Sequence, residues 1–254
     1  MTTAKIPAQS RTWDPEQLVR ASLRRTHAYV PAVVPDAPPP RHVKLDMNES
    51  PYGPSPRTLA ALSAFSETNR YPDFGQRELR EALGRYVDRD PDSIICGAGL
   101  DDVLNTLMHA TIEPGSEVII SDPTFGVYRM LVSLYDGTTV NVPLDDDFAL
   151  QPEAILTAVT DATKLIIVCT PNNPTGNVLD PAAIEQVVAE SGCLVAIDEA
   201  YAEFAGTSYL SLMDRYPNVA IFRTMSKFAG LAGLRIGYGV FPPNLARLLS
   251  PVIP

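Results

Sequence analysis

The chain has little of what metal centres, secreted scaffolds and nucleic-acid binders are built from. Three cysteines occur in 254 residues, Cys96, Cys169 and Cys193, far apart and each in or beside an apolar run. That placement argues for buried thiols of a reducing, cytoplasmic compartment and against a disulfide framework. The three histidines, His27, His42 and His109, keep no metal-ligand spacing with the cysteines, so no metal site is expected. A net charge of −10 gives neither nucleic acid nor an anionic membrane surface an electrostatic footing. No apolar run approaches the roughly 20 residues that span a bilayer. The polar start Met1-Thr-Thr-Ala-Lys5 has none of the features of a secretory signal, and no internal repeat is present. Asp145-Asp146-Asp147 reads as a solvated loop.

What remains is an ordinary globular composition, 45% hydrophobic and 20% charged, with room for one large domain or one domain plus part of another. Asp14-Pro15-Glu16 predicts a helix start, with Leu18, Val19 and Leu23 as its apolar stripe. Pro31, Pro35, Pro38, Pro39 and Pro40 then exclude helix and central strand. The first forty residues therefore read either as an arm that packs on something else or as a partly disordered leader. A short strand is expected at Val43–Asp46, then a turn-rich loop from Asn48 to Pro56 and helices at Arg57–Phe65 and Gln76–Val87.

From there the pattern alternates. β-branched apolar runs fall at 93–96, 117–120, 138–142, 164–169, 194–197, 219–222 and 235–240, with helical patterns at 100–112, 124–135, 151–160 and 181–190. Seven strands alternating with helices predict an α/β fold whose mostly parallel sheet is sandwiched by helices. Ligands collect at the carboxyl ends of strands in such sheets. Five strand ends carry unusual residues: Gly97-Ala-Gly99, Asp122-Pro-Thr-Phe125, Thr170-Pro-Asn-Asn-Pro-Thr-Gly176, Asp198-Glu-Ala-Tyr201 and Ser226-Lys227.

Lys227 lies in a Gly-spaced, otherwise apolar segment, where partial desolvation lowers an amine's pKa and frees it to form an imine. Arg235, eight residues on, offers a fixed positive charge suited to phosphate. Gly97-Ala-Gly99 presents backbone N–H groups at a helix start, a second anion cradle. Asp198, at the end of the run Leu194–Ile197, is either a cap or salt-bridge partner, or a carboxylate that keeps a pyridinium nitrogen protonated. Tyr201 is either core packing or a donor to a ring oxygen. Asn173 is held between Pro171 and Pro174, and Phe125 can stack on a flat ring. Together these residues follow the logic of a pyridoxal phosphate (PLP) site.

Asn48-Glu-Ser-Pro-Tyr-Gly-Pro-Ser-Pro56, Arg70-Tyr-Pro-Asp73, Pro171-Asn-Asn-Pro-Thr-Gly176, Asp198-Glu-Ala-Tyr201 and Arg223-Thr-Met-Ser-Lys227, with Gly230-Leu-Ala-Gly-Leu-Arg-Ile-Gly-Tyr238, resemble the aspartate-aminotransferase superfamily of fold-type I PLP enzymes. More narrowly they resemble its histidinol-phosphate aminotransferase family. The resemblance implies that Lys227 binds the cofactor covalently and moves a proton between substrate Cα and cofactor C4′. It implies Asp198 at the pyridine nitrogen, Asn173 and Tyr201 at the 3′-oxygen, and Phe125 on the ring. The phosphate would be held by Ser226, Arg235, Thr224 and the backbone of Leu100 and Asp101, with Tyr71 reaching it across a homodimer interface. Tyr29 and Asn48 fall at substrate-side positions.

The implied activity is amino transfer from histidinol phosphate to 2-oxoglutarate in histidine biosynthesis. The rivals are transfer from an aromatic or other amino acid, decarboxylation of threonine phosphate, and an inactive PLP-binding fragment. Phe125 stands where the family usually has tyrosine, and Phe228-Ala229 inverts the usual order after the lysine. The implied organisation is an N-terminal arm with part of a small domain over residues 1–45 and a PLP-binding large domain over 46–254. That large domain would be incomplete at its C-terminal end, with the C-terminal small domain absent and reduced stability or a need for another chain as the expected consequence.

Overall fold

The structure, a computed structural model, describes residues 18–26 and 45–252. Within the first segment a single turn of helix, α1 (Ala21–Arg25), is separated from helical Leu18 by a break at Val19 and Arg20, and Leu18, Val19 and Leu23 are exposed. The expected stripe is therefore not a packed face; the start at Asp14–Glu16 lies outside the described residues. Leu45 and Asp46 form coil and turn rather than the end of a strand, and Val43 and Lys44 lie outside the described residues.

Local chemistry sets the helix starts. The Ser55 hydroxyl accepts from the Thr58 N–H at 3.2 Å, and Pro56 opens α2 (Pro56–Ala64) at the first helical position. Asp73 accepts from the N–H groups of Gly75 and Arg77, which starts α3 (Arg77–Val87) one residue later than its sequence pattern predicts. A 3-10 turn at Pro91–Ser93 takes up the first residue expected in β1 (Ile94–Ala98). There follow α4 (Leu100–Thr111), β2 (Glu117–Ile120), α5 (Val127–Leu134), β3 (Thr138–Asn141), α6 (Pro152–Ala158), β4 (Thr163–Cys169) and α7 (Pro181–Glu190). The chain continues through β5 (Leu194–Asp198), the short α8 (Ala202–Ala205), β6 (Val219–Thr224), β7 (Ile236–Val240) and α9 (Pro243–Leu249). The helix expected from 124 begins only at Val127, because Asp122–Phe125 forms the loop leaving β2.

The sheet order is β1-β7-β6-β5-β4-β2-β3. β6, β5, β4, β2 and β3 run parallel, whereas β7 is antiparallel to both β6 and β1. Strand alternation divides the core. Ile166, Val168, Val195, Ile197, Val219 and Ile221 face α3 and α7, while Leu165, Ile167, Ala196, Ala220 and Phe222 face α4 and α5. Both faces are covered, which is why β4 reads as the unbroken apolar run Leu165–Cys169. The antiparallel β7 has a direct consequence. Its amino end meets the carboxyl ends of β1, β4, β5 and β6, so Arg235, just before β7, arrives at the same edge as Lys227.

Candidate active site

The strand ends enclose a cavity of about 430 Å³, lined among others by Asp198, Lys227, Arg235, Phe125 and Asn173. Leu100, Asp101, Tyr201, Thr224, Ser226 and Asn48 complete the set of sequence-predicted residues around it. The volume lies within the usual range for small-molecule and cofactor pockets. Tyr71 is not in the lining; it is exposed and stacked on Phe74 with ring centres 6.1 Å apart. Tyr29 lies outside the described residues.

Asp198 forms the floor, 3% exposed. Its Oδ1 accepts from the Ala200 N–H at 2.9 Å and its Oδ2 accepts from the Tyr128 hydroxyl at 2.6 Å. Burial pushes its acid up to about 6, against the lowering pull of these two donors. No lysine or arginine forms a salt bridge with it among the described residues. A buried carboxylate with one edge on a cavity and no salt-bridged cation fits a cationic ring nitrogen.

Lys227 is half-buried. Its ammonium donates to the Met47 carbonyl at 2.8 Å and lies 5.8 Å from the centre of the Tyr201 ring. Burial lowers its pKa, while the nearby Asp101 and Glu49 carboxylates act in the opposite direction. Asn48, in the left-handed region at φ 50°, donates to the Tyr201 hydroxyl at 3.0 Å. The turn at Gly53 backs this loop against the lysine segment: a Cβ on Gly230 would stand 2.5 Å from the Gly53 carbonyl oxygen. The glycine spacing after Lys227 thus serves a close approach of two backbones.

A second group of lining residues gathers hydrogen-bond donors and a positive charge. The N–H groups of the first turn of α4 have no intrahelical acceptor, and none of them is capped by a side chain from Gly99. Asp102 folds back to accept from the Ala98 N–H at 2.9 Å, and Leu100 and Asp101, which open the helix, line the cavity. Arg235, in the left-handed region at φ 53°, lies across Gly99, and a Cβ on Gly99 would collide with its guanidinium. The nearest acid to that guanidinium is Asp101 at 4.0 Å. Ser226 and Thr224 are buried and share a hydrogen bond of 2.9 Å between their hydroxyls. Helix amides, an arginine and two hydroxyls form a donor set suited to phosphate.

Sequence reasoning passed over three parts of this arrangement. Tyr128, fully buried, is the hydroxyl partner of Asp198; its signal was an aromatic three residues after Phe125, and the two rings meet edge to face at 5.6 Å. Asn172, rather than Asn173, pins the proline-rich loop, donating to the Pro123 carbonyl at 2.8 Å and accepting from the Thr124 hydroxyl at 3.0 Å. Asn173 is thereby left on the cavity side. Beneath the floor, the Arg223 Nη2 donates to Glu199 at 2.7 Å in an ion pair in which Glu199 is wholly buried. That pair ties β5 to β6 one residue past Asp198.

A mixed seven-stranded sheet with a lysine, an acid and an arginine gathered at one edge defines the fold of the type I PLP-dependent transferases. The chain belongs to the class I and II aminotransferase family, whose description it matches over residues 40–253. It is 41% identical over 243 residues to the histidinol-phosphate aminotransferase of Dehalococcoides mccartyi strain 195, covering 95% of this chain and 68% of that protein. Identity to the enzyme of the same name from Roseiflexus castenholzii is 43% over 245 residues, 91% of this chain and 66% of the relative. Another D. mccartyi enzyme of that name, from strain BAV1, is 44% identical over 83% of this chain and 58% of its own length.

Among solved structures, the Sinorhizobium meliloti histidinol-phosphate aminotransferase in complex with pyridoxal-5′-phosphate superposes with a TM-score of 0.73 at 30% identity. That match covers 82% of this chain and 62% of the neighbour. An aspartate aminotransferase variant from Thermus thermophilus shares the fold at a TM-score of 0.76 and 24% identity, over 92% of this chain and 65% of the other. The chain thus spans between 58% and 68% of the length of these relatives. No helix among the described residues is long and apolar enough to cross a membrane.

Proposed function

We propose that the chain is the cofactor-binding part of a PLP-dependent aminotransferase acting on histidinol phosphate, with 2-oxoglutarate as amino acceptor. The observation that carries this reading is the convergence of Lys227, Asp198 and Arg235 on one cavity of about 430 Å³, in a chain 41% identical to a protein of that name. Asp198 would face the pyridine nitrogen, Phe125 the ring, and Asn173 and Tyr201 the ring oxygen. Arg235, Ser226, Thr224 and the Leu100 and Asp101 amides would hold the phosphate. When bound, the ring with its protonated nitrogen supplies a sink for the electron pair left on the substrate α-carbon.

The chain's own residues do the rest. Asp198 keeps a negative charge on the floor, and Arg235 with the α4 amides neutralises a dianion at the opposite end. The lowered pKa of Lys227 makes its amine available to attach the cofactor and afterwards to take and return a proton. Asn48 orients the Tyr201 hydroxyl.

An exposed apolar surface supports a homodimer as part of this reading. The α2 helix buries none of its residues and exposes Leu59 and Leu62, and Tyr52, Phe65, Tyr71 and Phe74 are exposed near it in the chain. A second copy is the proposed cover, bringing its own Tyr71 to the phosphate end. Sedimentation of the PLP-saturated chain as a monomer at micromolar concentration would refute this.

The activity is tested on the purified chain. Adding PLP is expected to give a visible absorbance band that Lys227→Ala abolishes, and amino transfer is expected from histidinol phosphate in preference to phenylalanine. Retention of the band in the alanine variant sinks the assignment of Lys227, and preference for phenylalanine sinks the substrate assignment.

A further inference from the structure

The floor of the cavity holds a buried pair, Tyr128 and Asp198, joined across 70 residues of sequence. Tyr128 sits in the first turn of α5 with no exposed surface, its ring edge-on to Phe125 and its hydroxyl 2.6 Å from Asp198 Oδ2. The other carboxylate oxygen is taken by the Ala200 N–H at 2.9 Å. These two donors fix the carboxylate plane. Everything else near it opposes the charge or counters it weakly. Asp101 on α4 and Glu199, just past β5, repel it, the Cys169 thiol on β4 is itself held neutral by burial with its pKa up at about 12, and Lys227 is partly desolvated. A phenol beside a carboxylate stays protonated, because burial and the Asp198 charge both raise its own pKa. The hydroxyl is therefore a permanent donor.

The geometry points to Tyr128 as a positioning residue that keeps the Asp198 carboxylate ionised and turned toward the cavity, acting on a bound pyridine ring only through Asp198. The inference deepens the reading of the cavity as a PLP site and rests on it for its second half. Loss of a hydrogen bond to a charged acceptor shifts an acid dissociation constant by about tenfold to a hundredfold.

The first measurement uses the cofactor-free protein. With carboxyl-13C aspartate incorporated, the Asp198 signal is assigned by its loss in Asp198→Asn and followed against pH. Tyr128→Phe keeps the ring against Phe125 and is expected to weaken the acid at least about tenfold. Tyr128→His returns a donor and is expected to titrate at or below the wild-type midpoint. A Phe variant within twofold of wild type overturns the inference, as does a folded His variant that titrates above wild type. Should the Phe variant not fold, the His variant decides.

The second measurement is a spectral titration with PLP near pH 7. Tyr128→Phe is expected to weaken binding about tenfold, and to weaken it no further when placed in the Asp198→Asn protein. Equal losses in both backgrounds would assign the tyrosine to packing alone and overturn the positioning role. If the wild-type chain binds no PLP, the proposed function falls, while the carboxyl titration still decides whether Tyr128 controls Asp198.

Discussion

Replacing Asp198 by asparagine is expected to make the cofactor-free protein more stable and its PLP binding weaker. The carboxyl is 3% exposed and its pKa rises from 3.8 to about 6, chiefly through burial. An acid raised on folding stabilises the fold in its protonated form. That contribution is complete below 3.8 and is lost as the pH passes about 6. The displacement of about two pH units corresponds to about 3 kcal/mol, at about 1.4 kcal/mol per tenfold in acidity. Asparagine does not titrate and can replace both hydrogen bonds. Its Oδ1 can accept from Ala200, and its Nδ2 can donate to the Tyr128 oxygen, because a hydroxyl both donates and accepts. The asparagine variant should therefore match wild type near pH 4 and exceed it by about 1–3 kcal/mol near pH 7.5. Urea unfolding of the two cofactor-free proteins at both pH values measures this. A variant that is less stable near pH 7.5, or that differs from wild type equally at both pH values, would refute the argument that Asp198 is held against its desolvation. Spectral titration with PLP should move the opposite way, since asparagine cannot balance a pyridinium charge.

Glu199→Gln leaves Arg223 buried with only Glu203 at 3.4 Å, so a loss of about 3 kcal/mol is expected in chemical denaturation, at the lower end for breaking a buried pair. An unchanged unfolding midpoint would show that Glu203 suffices. Gly237→Ala places a methyl group against the backbone of Gly99 and Leu100, and should cost about 1–3 kcal/mol of stability. Because the same backbone carries the amides proposed to hold the phosphate, PLP affinity should fall with it; affinity unchanged beside a lowered melting temperature would place the phosphate elsewhere.

Much of this fold is legible locally. The runs around 165–169, 194–197 and 219–222 are apolar because both faces of the central strands are covered, and a covered strand has no polar alternative. Glycine, proline and acid at strand ends mark the edge where the backbone must turn, and the cavity lies at that edge. The limits are also physical. The pattern from 235 to 240 predicts a strand but not its direction, since an antiparallel and a parallel central strand carry the same residues. The helix at 124–135 loses its first turn to the loop after β2, and the stripe at Leu18, Val19 and Leu23 finds no surface to bury against among the described residues.

The sequence by itself determined the alternating α/β order, the covered central strands and the presence of a lysine, an acid and an arginine at strand ends, because periodicity and turn chemistry act over a few neighbouring residues. Only the tertiary structure decided that Tyr128 meets Asp198, that Arg235 crosses Gly99, that Gly237 presses on the α4 start, and that Glu199 pairs with Arg223. Each of these is a contact between groups brought together by sheet order, from as few as 24 to more than a hundred residues apart. Hydrogen bonds and close backbone approaches of that kind depend on where strands stand beside one another, and no local pattern of residue types encodes the order of strands in a sheet.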